Sequence, residues 1–121
     1  MIAGTYNIYC EQGTTFGRII TIAVPDAIDP EITNPYDLSG HTARMQVRRT
    51  IDSTTQMVEL TTENNGLTIN ESDGSITIEM SSDVTASLTT SGVYDLEIID
   101  ATGNVSRVIQ GTFTLSQEVT R

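Results

Sequence analysis

One stretch constrains this chain more than any other. From Gly92 to Asp100, the apolar residues Tyr94, Leu96 and Ile98 alternate with Asp95 and Glu97. A period of two with one apolar and one charged face predicts a half-buried strand. Ala101-Thr-Gly-Asn104 then offers residues that tolerate the positive φ of a tight hairpin turn. Val105 to Leu115 is the predicted return strand, less cleanly patterned until Phe113 and Leu115. Gly111 interrupts it, which predicts a bulge or a close backbone approach.

The same alternation recurs along the chain. Gly4–Cys10 is a predicted strand with Tyr6, Ile8 and Cys10 on one face. A second runs from Thr15 to Val24 with Ile20, Ile22 and Val24 inward, and its edge leaves Arg18 in need of a carboxylate or water. Pro25 ends it. The segment 26–37 is expected as an acidic loop; Asp26 and Asp29 suggest Ca²⁺, but their spacing matches no calcium-loop pattern. Leu38 is expected in the core, and His41 at a strand edge with a local hydrogen bond. Ala43, Met45 and Val47 should point inward, and Arg44, Gln46 and Arg48 outward. Val58/Leu60, Leu67/Ile69 and Ile76/Ile78/Met80 mark three further strands, with turn signals at Asn65-Gly66 and Asp73-Gly74. Ser82-Asp83 can cap one helical turn that sets Val84, Leu88 and Ala86 against the core.

Composition narrows the function classes. The 121 residues carry a formal charge of −10 and fit one domain, 1–121. All six basic residues are Arg. An acidic chain repels phosphate backbones, so nucleic acid is not an expected partner. No apolar run reaches the roughly 20 residues that span a bilayer, so no membrane role is expected. Cys10 and His41 are each alone, so the residues supply no disulfide, metal spacing or catalytic relay. The N-terminus lacks signal-peptide character, and synthesis in a reducing cytoplasm is expected. The expectation is a non-enzyme without cofactor, catalytic residue or metal site.

Turn signals every 8–12 residues predict an all-β chain: an Ig-like antiparallel β-sandwich of seven to nine short strands with one short helical turn. The helical crossover followed by Gly92-Val93-Tyr94 resembles the tyrosine corner of immunoglobulin-like domains, with Tyr94 as its structural residue. That resemblance implies a Tyr94 hydroxyl bonded to the nearby corner backbone. It also implies that the Met45 and Tyr94 strands pair, setting Arg44 and Arg48 near Asp95 and Glu97.

Several motifs together resemble a family of small bacteriophage Ig-like proteins of tail, baseplate and fibre-attachment regions. They are Gln12–Phe16, Tyr36–Arg48 with its Asp-Leu-Ser-Gly and Ala-Arg-Met-Gln-Val-Arg, Gly74–Ile78, Gly92–Glu97, Arg107–Leu115 and Val119–Arg121. The resemblance implies a virion protein made in the bacterial host cytoplasm, with other virion proteins as partners in a multi-copy assembly. It transfers no catalytic or binding residue. The candidate interface residues are Tyr6, Tyr9, Asp26, Asp29, Tyr36, Phe113 and Arg121. Gly4–Cys10 and Phe113–Leu115 are the expected sheet edges, where unpaired backbone can receive another strand. A carbohydrate-binding or host-adhesion module is an alternative, for which Tyr6, Tyr9 and Tyr36 are the aromatic supply. A capsid decoration protein is another.

Overall fold

The computed structural model describes residues 3–121; residues 1 and 2 of the expected 1–121 domain lie outside it. The chain is mostly β, with antiparallel sheets. Its strands are β1 (Gly4–Thr5), β2 (Ile8–Glu11), β3 (Phe16–Thr21), β4 (Ala23–Pro25), β5 (Thr33–Pro35), β6 (Thr42–Arg48), β7 (Val58–Thr61), β8 (Leu67–Asn70), β9 (Ser75–Met80), β10 (Gly92–Ile99) and β11 (Val105–Ser116). One helix, α1 (Ser82–Ala86), precedes β10.

The larger sheet runs β1-β11-β10-β6-β7, with β2 also on β11; the smaller runs β3-β9-β8; and β4 and β5 pair by themselves. The count exceeds seven to nine for three local reasons. The first predicted strand is broken at Tyr6-Asn7, the second divides at Ile22 into β3 and β4, and the expected loop 26–37 contains β5.

One apolar cluster joins both larger sheets. Ile8, Cys10, Met45, Val47, Leu96, Ile98 and Phe113 meet Phe16, Leu67, Ile76, Ile78 and Met80. Period two explains this directly, because every second residue of β6, β9 and β10 points inward. Leu38 is fully buried between β5 and β6. Burying a side chain of this kind contributes roughly 1.5–3 kcal/mol.

Gly92 to Leu115 forms the predicted hairpin. Its irregular half has a cause. The register slips between Leu96 and Glu97, so Val108 is extra on β11, and Val108 and Ile109 are both buried. The bulge therefore lies at Val108. Gly111 serves the close approach: a Cβ there would stand 2.4 Å from the Tyr6 carbonyl oxygen.

Phe113–Leu115 is not an edge. β2 runs parallel to β11 and pairs Ile8 with Phe113, so β11 lies between β2 and β10. Phe113 is fully buried and leaves the set of interface residues.

The helix begins one residue earlier than expected. Ser81, not Ser82, accepts the Val84 amide at 3.2 Å. Leu88 is buried and Val84 half-buried, but Ala86 is exposed. Thr85 takes the inward position, and its hydroxyl donates to the Thr14 carbonyl at 2.7 Å.

Candidate docking surfaces

Three surfaces collect the side chains that the core does not use. The first is the edge of the larger sheet at β1 and β2. These strands keep one register on β11: Gly4 opposite Ile109, Ile8 opposite Phe113. At Tyr6-Asn7 the ladder is rewired. Tyr6 N–H donates to Gln110 O at 3.0 Å, as a parallel ladder requires. The Thr112 N–H, which the Tyr6 carbonyl would ordinarily receive, goes to the Asn7 side-chain oxygen at 3.1 Å. The freed Tyr6 carbonyl accepts from the Tyr94 hydroxyl. Tyr94 thus bonds the first strand and not the turn before β10, correcting the tyrosine-corner expectation. Burial pushes the Tyr94 pKa up, so the hydroxyl keeps its proton. Tyr6 is 37% exposed, and Tyr9 projects outward at 66%.

The second surface is the outer face of β6, β10 and β11. β6 pairs with β10 so that Arg44 lies opposite Glu97, and its Nε is 2.8 Å from the carboxylate. Asp95 pairs with Arg107 at 3.3 Å. Arg48 bonds the Ser53 carbonyl at 3.0 Å and the Gln46 side-chain oxygen at 2.7 Å. With Glu59, Gln110 and Thr112 these residues line an open concavity of about 750 Å³. Tyr94, the aromatic residue in that lining among the described residues, is buried.

The third surface is the β4–β5 hairpin. Asp26 organises it: its carboxylate accepts the amides of Ile28 at 2.8 Å and Asp29 at 3.2 Å, and the Asn34 side-chain amide at 3.0 Å. These bonds, led by Asn34, hold its carboxyl below the ordinary range. The main chain closes beneath, Asp26 N to Ile32 O at 2.7 Å and Ile32 N to Asp29 O at 3.0 Å. Bonding of this kind makes an ordered tip, and its apolar residues face out: Ile28 is 95% exposed and Ile32 52%. The sequence pattern missed both, because alternation marks inward residues and carries no signal for an apolar residue held outward by a turn.

The β8–β9 turn abuts the hairpin base, where Gly74 lies against the Tyr36 backbone; Gly40, beyond the hairpin, sits beside Ala101 of the β10–β11 turn. In the turn after β10, Asp100 accepts from Thr102 and Asn104, which draws its pKa down to about 2. Asp37, bonded to Ser39, is likewise lowered. This end of the molecule is therefore anionic at neutral pH.

Tyr36 is half-buried against the core with its ring edge-on to His41, so it supports the hairpin base more than it offers a contact. His41 bonds the Ser39 carbonyl at 3.1 Å, the expected local partner. Asp26 spends its oxygens within the hairpin, while Asp29 stays exposed. Arg121 is exposed beyond a tail tied to Gln12 at the opposite end of β11. The candidate residues thus fall on separate surfaces. Arg18 is exposed and pairs with no carboxylate among the described residues: it stacks on Phe16 at 4.7 Å and reaches the Tyr9 carbonyl at 3.3 Å.

Among the described residues, no three His, Cys, Asp or Glu side chains gather as a metal site would require. No described helix is long and apolar enough to cross a membrane. Burial raises the pKa of the free Cys10 thiol. No protein-family model matches the chain, and no curated protein matches it.

Proposed function

We propose that this chain is a non-enzymatic structural component of a bacteriophage particle, an adaptor or attachment module of the tail, baseplate or fibre region. It works by presenting a preorganised loop end to another virion protein. The observation that carries the reading is the Asp26-locked hairpin with Ile28 and Ile32 facing solvent. An apolar anchor already held in its bound shape binds at low entropic cost, and anchors that fill partner pockets supply most of an interface's energy.

We read the architecture as an Ig-like sandwich. The order β1/β2-β11-β10-β6-β7 opposite β3-β9-β8, with the first strand parallel to the last, supports it. In that architecture the β4–β5, β8–β9 and β10–β11 connections cluster at one end, where binding loops sit on a rigid scaffold. The acidity of this end suits a partner with a basic rim.

Incorporation into particles tests the proposal. Particles assembled with wild-type protein contain it, and particles assembled with Ile28→Asp contain it at a tenth of that level or less. Equal incorporation of both proteins removes the hairpin from the account, and absence of the wild-type chain from purified particles removes the virion role.

A further inference from the structure

The open edge of the smaller sheet has its own logic. Ile22 N–H donates to Gly74 O at 2.8 Å. In an antiparallel ladder this fixes the alternate residues Ile20, Arg18 and Phe16 as those facing β9. Beyond Ile22 the partner changes but the side does not. Ile22 O accepts from Tyr36 at 2.9 Å and Asp26 N donates to Ile32, so Ile22, Val24 and Asp26 face β5. Hence the N–H and C=O groups of Gly17, Ile19, Thr21 and Ala23 all point away from the fold. Among the described residues no strand pairs there, because the first strand lies wholly on β11.

This edge lacks most devices that keep edges from pairing. Gly17, Ile19, Thr21 and Ala23 are exposed, Ile19 at 69%. A Cβ on Gly17 would meet nothing within 4 Å. From Phe16 to Pro25 there is one charge, Arg18, and no carboxylate, in a chain that holds 16. Arg18 donates to the Gly17 carbonyl at 2.7 Å, which leaves that oxygen a second lone pair. A long, carboxylate-free edge rich in β-branched residues is a template for another strand.

We propose that a second copy of this chain covers the edge, β3 and β4 of each pairing antiparallel across a twofold axis at Ile20. In that register Gly17 pairs with the partner's Ala23, and Ile19 with the partner's Thr21. All four outward residues then exchange main-chain hydrogen bonds. Arg18 falls opposite the partner's Ile22, so the two guanidiniums do not face each other. Pro25, with no N–H, ends the pairing. The choice of a second copy rests on this self-complementarity and on charge: two chains of −10 each repel, and this carboxylate-free edge is where they can approach. Salt must therefore tighten the dimer, the reverse of an interface made by opposite charges.

Sedimentation equilibrium over rising protein concentration tests it. The mass climbs from 13.1 kDa toward twice that value, and at a lower concentration in about 0.5 M NaCl than in dilute buffer. Thr21→Pro removes only an outward N–H and leaves the far-UV circular dichroism unchanged, yet stays monomeric. Ile19→Lys, at an exposed position that the fold tolerates, weakens the dimer at least about tenfold. A mass fixed at 13.1 kDa up to about 1 mM, or a dimer of undiminished strength in Ile19→Lys, overturns the proposal.

Discussion

The Tyr94 hydroxyl donates to the main-chain carbonyl of Tyr6, 88 positions away in the chain. The contact spans three strands, because Tyr94 lies opposite Gly111 on β11 and Gly111 lies beside Tyr6. It fastens the edge strand at the point where its ladder is broken. Replacing Tyr94 with Phe leaves the Tyr6 carbonyl without its donor. The expected loss is about 1–2 kcal/mol of unfolding free energy in a urea titration. A loss under about 0.3 kcal/mol means that water satisfies the carbonyl equally well.

Gly111 makes that crossing possible. Gly111→Ala drives a Cβ into the Tyr6 backbone, which cannot rotate away, and should cost about 1–3 kcal/mol. Gly17→Ala, with open space around it, should stay within about 0.5 kcal/mol of wild type in the monomer. Equal effects at the two glycines contradict the close approach.

On the outer face, a double-mutant cycle of Arg44→Ala and Glu97→Ala should return a coupling of about 0.2–1 kcal/mol. Both side chains touch water, so the coupling should shrink as salt rises. A coupling that salt leaves unchanged contradicts a solvated pair.

Acid should loosen the loop end. The Asp100 carboxyl has a folded pKa of about 2 against an ordinary 3.8, so its contribution is full above the ordinary value and is lost as pH falls through about 2. Asp26 and Asp37 shift in the same direction. Carboxyl NMR titration should find the Asp100 midpoint near 2, and Asp100→Asn should flatten the fall of melting temperature across that window. A midpoint at the ordinary 3.8 contradicts the turn's hydrogen bonding.

What the sequence made legible follows from where its signals come from. Period-two burial is a property of one strand, so β6, β9 and β10 and their inward residues could be read residue by residue. The pairing of Arg44 with Glu97 was legible once β6 was set beside β10. Partners distant in the chain were not. Phe113 reads as an edge residue until β2 is placed against it, and the sequence offers Arg18 a carboxylate or water but not the Phe16 ring and the Tyr9 carbonyl that it reaches. The strand expected over Thr15–Val24 changes partner at Ile22, where alternation continues and so leaves no mark. Ile28 and Ile32 were hidden in an acidic segment whose fold depends on the side-chain bonds of one residue, Asp26.

The docking claim is tested most directly by zero-length carboxylate-to-amine crosslinking of purified particles. The chain has no lysine, so its Asp and Glu side chains are the informative handles. The account predicts that Asp29 and Glu31, beside the exposed Ile28, link to lysines of a second virion protein. Particles that contain the chain but show no link from this hairpin, with links to other proteins only from residues of the outer sheet face, would contradict it.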